Sequence, residues 1–197
     1  MISFDNTEVA FANKSNRSLK KAYFVFKLIS ISWLNKFATK MLQMGLKFGL
    51  PVKGIIKNTV FFQFCGGESI YQCEPTINEL AEFNVKSILD YSVEGDQDEY
   101  AFNDCLNKAI ATIERAKKDK SIPYIVIKLT GFMPFHVLNK NTEGIELTSQ
   151  EEIEYDKGKK RLKTLSDAAC AANIPLMIDA EESWIQDNID EIVLDLM

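Results

Sequence analysis

Pro175-Leu-Met-Ile-Asp-Ala-Glu-Glu-Ser-Trp-Ile-Gln186 decides how the rest of this chain is read. Residues 175–178 are apolar and follow Asn173, a residue suited to ending a helix. They predict a short strand buried on both faces. The chemistry then changes at once, because Asp179, Glu181 and Glu182 put three carboxylates where the strand should end. Glu182 suits the positive end of a following helix. Asp179 comes straight off the apolar run, where a half-buried carboxylate is costly unless a cation or donors meet it.

Working backward from that strand, the pattern repeats. A helix through Leu162, Leu165, Ala169 and Ala172 opens at the capping box Thr148-Ser-Gln-Glu151. Before it lies a long polar stretch, read as a loop over 134–147. Before that, Pro123 leads Tyr124-Ile-Val-Ile-Lys-Leu129, a strand rich in β-branched residues. Phe102, Leu106, Ala109, Ile113 and Ala116 recur at helical spacing, and residues 85–91 form the first strand candidate. The order β-α-β-α-β-α needs a parallel sheet, and the nearly all-apolar strands suit one covered on both faces. A doubly wound sheet and a (β/α) barrel both fit the pattern. No Gly-rich dinucleotide fingerprint follows any strand, which weighs against the first.

The amino-terminal part reads differently. Helices are expected from Ser18 through Leu28 and over 32–48, the second stopped by Gly49 and Pro51 and weakened near its end by Gly45. This second helix carries Leu34, Phe37, Met41, Met44 and Phe48 beside Lys36, Lys40 and Lys47. A basic amphipathic helix lies on a membrane surface or packs on its own domain, and packing is the more frequent outcome. Gly66-Gly67 marks a turn, and Thr76-Ile-Asn-Glu79 reads as a capping box opening a short helix to about Phe83.

Bulk properties narrow the classes. The chain has 197 residues, 46% hydrophobic and 26% charged, which suits a globular protein with a real core. A net charge of −5 argues against nucleic acid as a partner. Four cysteines without CxxC spacing and a single histidine, His136, argue against a metal site. Reduced, mostly buried thiols are expected, as in a cytoplasmic protein. No signal peptide is visible, and the apolar run 22–34 is shorter than the roughly 20 residues that span a bilayer.

Asp90 with Glu94, Lys128 and Asp179 fall at or just after the carboxyl ends of the three predicted strands. In a parallel α/β fold these ends share one face, where active sites lie. Lys128 interrupts an apolar run and would be expensive to bury unpaired, so Asp179 on the neighbouring strand is its expected partner. Two chemistries follow. Either a cationic Lys128 binds a carboxylate substrate, or a neutral Lys128 forms a Schiff base, as in barrel aldolases. The surrounding acids favour the first.

Phe64-Cys-Gly-Gly-Glu-Ser69, Ile88-Leu-Asp-Tyr-Ser-Val-Glu-Gly95, Ile127-Lys-Leu-Thr-Gly131 and Ile178-Asp-Ala-Glu-Glu182, with Trp184-Ile-Gln-Asp-Asn-Ile-Asp190, together resemble the proline dehydrogenase family. The resemblance implies a (βα)8 TIM-type barrel binding FAD at the carboxyl ends of its strands. It implies oxidation of L-proline to 1-pyrroline-5-carboxylate, with electrons passed to a quinone. It places Lys128 at the substrate carboxylate, Asp179 in the active site and Ala180 against the flavin. It gives Glu94 to a substrate gate, although Val93 stands where the family often has glycine. Such a barrel takes about 250 residues, and this chain supplies about three β/α units. The adjacent arginines of the family's late helix have no counterpart, since Lys159-Lys160-Arg161 sits in a different context. The expectation is therefore a helical amino-terminal arm, 1–57, and a truncated barrel portion, 58–197. A missing carboxyl-terminal barrel segment becomes an implied partner, because three strands leave a bare sheet edge. A non-catalytic half-barrel is the alternative. A cytoplasmic location follows, with peripheral contact to the inner membrane through the lysine-rich arm as a further option.

Overall fold

A computed structural model describes residues 4–52, 54, 57–91 and 98–197. The chain forms two compact units, Met1–Asn84 and Val85–Met197. Glu94 and Val93 lie outside the described residues.

The described residues of the first unit are helical: α1 (Thr7–Ala10), α2 (Asn16–Ser30), α3 (Ser32–Lys47), a π-turn (Lys57–Phe61) running into α4 (Phe62–Phe64), and α5 (Ile70–Glu82). Ser15, ahead of the expected Ser18, caps α2 by accepting the Ser18 N–H. Gly49, at φ +68, ends α3 as expected. Gly45 stays inside α3, where a Cβ would come within 2.9 Å of Val52 Cγ1, so a glycine lets the returning chain close onto the helix. The capping box at Thr76 does not start a helix. Ser69 opens α5 instead by accepting the Gln72 N–H, while Gln72 accepts from the Glu68 N–H. Pro75 therefore sits within α5, and Thr76 falls past its first turn.

The second unit is a mostly helical α/β arrangement around a small parallel sheet. Its elements are α6 (Glu99–Ala116), β1 (Ile125–Ile127), a 3-10 turn (Leu129–Gly131), α7 (Phe135–Thr142), α8 (Ser149–Ala172), β2 (Leu176–Ile178) and α9 (Ser183–Leu196). β1 and β2 pair in parallel, Ile125 with Leu176 and Ile127 with Ile178. The expected first strand contributes a single parallel bridge, Leu89 to Ile125, among the described residues. Asp98 caps α6 through the Ala101 N–H, and the Thr148–Glu151 box opens α8 as expected. Asn173 closes α8 at φ 55, in the left-handed region. The expected loop over 134–147 contains α7, which buries Val137 and Leu138 and packs against α9. Val137 and Leu138, both fully buried, anchor a helix in a stretch whose average is polar.

Among the described residues the sheet is covered on one face. Ile125, Ile127 and Leu129 are buried, Ile127 at 5% exposure. Side chains alternate across a strand, so Tyr124, Val126, Lys128 and Met177 share the other face, where Met177 keeps 47% of its surface exposed. The apolar composition of these strands reflects an inner face packed on helices and an outer face that is open among the described residues.

Candidate active site

The register of β1 and β2, continued by one residue, sets Lys128 beside Asp179. The last rung is drawn tight because the Asp179 N–H donates to the Ile127 carbonyl at 2.9 Å. Lys128 Nζ then lies 3.9 Å from Asp179 Oδ2, with side-chain exposures of 35% and 50%. An ion pair this open stabilises a fold by about 0–1 kcal/mol. Burial cost, the reason to expect a partner for Lys128, is met differently: the open face keeps the ammonium partly in water and leaves both charges accessible. By the same register Asp90 falls beside Val126 on this face. Ala180 follows Asp179 and is exposed, a residue with only a methyl group at the rim.

A second pair ties the same two strand ends. Glu181 accepts the Thr130 N–H at 3.1 Å through Oε1 and the Thr130 hydroxyl through Oε2. The Glu181 N–H in turn donates to Gln186 Oε1 at 3.0 Å, and Gln186 donates to Asp190. Glu181 is thus a clasp between the segments after β1 and β2, not simply an acid opening α9. The offset was visible in the sequence, since 51 residues separate Thr130 from Glu181 just as they separate Lys128 from Asp179.

The turn that follows Lys128 is held from below. Gly131 sits where a Cβ would be 3.0 Å from the Cys105 thiol, so the turn lies close against α6. Burial pushes that thiol up to about 11, and it is not a nucleophile at neutral pH. Cys65 and Cys170 are exposed, contrary to the expectation of mostly buried thiols. Arg161 of α8 is buried and donates to the Phe132 carbonyl at 2.9 Å, to Asn103 Oδ1 at 2.9 Å and to Glu99. Its guanidinium also lies 5.4 Å from the Phe102 ring centre. The hydrogen bond from Arg161 holds the Glu99 carboxyl below the usual carboxylate range, and Lys157 adds to it. On the far side of the sheet edge, Lys108 donates to the Tyr91 hydroxyl at 2.6 Å and pairs with Asp104. Those contacts, Asp104 first, raise the Lys108 ammonium above its ordinary value. Among the described residues no group of three metal-ligating side chains gathers.

The structure therefore brings Lys128 and Asp179 together with Ala180 beside them, and Glu94 lies outside the described residues. Sequence reasoning missed the Thr130–Glu181 clasp and set Arg161 aside.

A family model described as proline dehydrogenase matches residues 73–197, more than half of the chain and every one of these strand-end residues. The chain belongs to the proline dehydrogenase family. It is 30% identical over 140 residues to a protein of Pectobacterium carotovorum subsp. carotovorum named as carbapenem antibiotics biosynthesis protein CarD. That match covers 71% of this chain and 36% of the relative. It is 25% identical over 230 aligned positions to proline dehydrogenase 1, mitochondrial, of Dictyostelium discoideum, covering 96% of this chain and 40% of the relative. It is 39% identical over 98 residues to proline dehydrogenase 1, mitochondrial, of Caenorhabditis elegans, covering 48% of this chain and 16% of the relative. The matches thus cover well under half the length of these relatives.

Proposed function

We propose that this chain contributes one side of a flavin-dependent proline-oxidising site, converting L-proline to 1-pyrroline-5-carboxylate with electrons passing finally to a quinone. The observation that carries the reading is the Lys128–Asp179 pair, 3.9 Å apart at adjacent strand ends and open to solvent, within a segment that matches the family. A cation and an anion side by side complement a small zwitterion. Lys128 holds the substrate carboxylate, and Asp179 faces the ring nitrogen, which must shed a proton as its bond to carbon becomes double. An ammonium facing a carboxylate suits anion binding, whereas a Schiff base needs the neutral amine. Glu94 is proposed as a gate over the same rim.

The residues present fit the ring end of FAD. Ala180 offers no bulk, and Val126 and Met177 give the open sheet face an apolar floor next to the charged pair. FAD, when bound, supplies the hydride acceptor that proline oxidation requires. Ala180, the open sheet face and Lys128 would hold its ring. The remaining contacts are proposed to come from further barrel segments. Two observations support this: the matches cover 36–40% of the first relatives, and one sheet face is open among the described residues. The barrel portion is proposed to begin near residue 58, after an amino-terminal arm of 1–57. The chain on its own would then be an incomplete enzyme.

The test supplies FAD and proline and follows dye reduction. The chain joined to the carboxyl-terminal part of a family member should turn over proline, and the chain alone should not. Absence of proline-dependent reduction in the joined protein, with flavin bound, would refute the reading. Borohydride trapping of a carbonyl substrate on Lys128 would replace it with the aldolase chemistry.

A further inference from the structure

Lys128 and Asp179 form too weak a pair to hold their own geometry. Both are open to solvent, and an ion pair so exposed loses most of its attraction to water and salt. Each is nonetheless fixed from two sides. Behind them lies the β1–β2 ladder, which ends at the bond from the Asp179 N–H to the Ile127 carbonyl. Ahead of them, Glu181 accepts both the N–H and the hydroxyl of Thr130. The rim pair is thus bracketed between a rung and a clasp. Among the described residues Glu181 is paired with no lysine or arginine, and both its oxygens go to one threonine. Hydrogen bonds to a carboxylate are roughly twice as strong as neutral ones, and two from one residue fix orientation as well as distance. Both ends of the clasp rest on firm supports. The Thr130 turn is seated on α6 where Gly131 meets Cys105, and Arg161 holds it through the Phe132 carbonyl. The Glu181 N–H goes to Gln186, which donates to Asp190, both on α9. α9 in turn is locked by Ile185, Ile189 and Ile192, all fully buried.

We infer that Glu181 is a positioning residue for the reaction at the rim: by gripping Thr130 it sets how Lys128 lies against Asp179, and so how the bound zwitterion is aligned. It acts through those two residues. The inference rests on the proline-oxidising reading of the site and goes beyond it, since it gives Glu181 and Thr130 a share in kcat. The size of that share follows from the geometry. A misplacement of about 1 Å costs an aligned reaction on the order of a hundredfold. With the clasp open, the ladder alone would hold the strand ends, and the exposed pair could not restore the alignment.

The test has two arms. In the chain joined to the carboxyl-terminal part of a family member, with FAD and proline, Glu181→Ala should lower kcat about tenfold to a hundredfold with KM changed far less. Lys128→Met should do the reverse and raise KM. Glu181→Gln, which keeps one acceptor oxygen, should fall between Glu181→Ala and the parent. Thr130→Val should lower kcat in the same sense, and Thr130→Ser, which keeps the hydroxyl, should restore it. Combining Glu181→Ala with Thr130→Val should be no slower than Glu181→Ala alone, because the two changes break one unit. A merely structural clasp would lower the melting temperature and leave kcat of the folded protein unchanged. An unchanged kcat in Glu181→Ala, a Thr130→Ser variant as slow as Thr130→Val, or losses that simply multiply would each overturn the inference. The second arm needs no turnover. In the full chain alone, the amide cross-peaks of Lys128 and Asp179 should shift in Glu181→Ala and return toward the parent in Glu181→Gln, and unmoved cross-peaks would overturn the inference. A joined parent that binds flavin and ignores proline would sink the proposed function instead, while shifted cross-peaks would still support Glu181 as the residue that orders the pair.

Discussion

Replacing Arg161 by methionine tests what holds the segment after β1 in place. The substitution keeps most of the apolar stem and removes the guanidinium. The Phe132 carbonyl, whose buried donor is Arg161 Nη1 at 2.9 Å, is left without that partner. An unsatisfied buried acceptor costs about 1–3 kcal/mol. The pairing with Glu99 adds less, because the carboxylate is half exposed while the arginine side chain is 6% exposed; about 0.5–1 kcal/mol is a fair share after solvent screening. The sum is roughly 1.5–4 kcal/mol. At about 4 °C per kcal/mol for a unit of this size, the melting temperature should fall by roughly 6–16 °C. Urea unfolding should show a lower midpoint with an unchanged slope. Arg161→Lys should fall between the two, since one ammonium cannot serve three acceptors set in a fork. Hydrogen exchange should quicken over residues 129–133 in both variants. A methionine variant within about 1 kcal/mol of the parent would refute the assignment of Arg161 as the anchor of that turn.

Three further outcomes follow. Gly158→Ala should destabilise by about 1–3 kcal/mol through overpacking, despite the better helix propensity of alanine, because the new Cβ would sit 2.5 Å from Met133 Cβ; thermal unfolding reads it. Glu151 is held down at about 2, first by Lys140 and then by Thr148. The folded carboxyl thus ionises below its unfolded counterpart at 4.5, so its contribution is full above that value and is lost as pH falls toward 2. Glu151→Gln should therefore be less stable than the parent at pH 7, and the difference should vanish in acid unfolding near pH 2. Glu181→Leu should loosen the clasp on Thr130 and raise the exchange rate of the Thr130 amide, with an unchanged rate counting against the clasp.

The legible parts of this chain were those where one residue type contradicts its surroundings. Lys128 within Ile-Val-Ile…Leu, and Asp179 directly after Leu-Met-Ile, announced strand ends, and the structure places them side by side. The Thr148 box and Asn173 were readable because capping depends on local donors and acceptors. What was hidden depends on partners distant in sequence. Thr130 and Glu181 look like ordinary loop and helix-opening residues until β1 and β2 pair. Arg161 looks like one of three surface cations until α6 supplies Glu99 and Asn103. α7 was hidden because Val137 and Leu138 are too few to show a period, and their burial against α9 is what folds them. The outer sheet face is apolar and open among the described residues, and apolar side chains there read the same as apolar side chains in a core.

The most direct test of the proposed site is the Michaelis constant for proline after Lys128→Met, measured in the chain joined to the carboxyl-terminal part of a family member. Loss of a charge-assisted contact worth about 1.5–3 kcal/mol should raise KM roughly tenfold to a hundredfold while kcat changes little. An unchanged KM would contradict the placement of the substrate carboxylate at Lys128 and, with it, the reading of the Lys128–Asp179 rim as the place where proline is held.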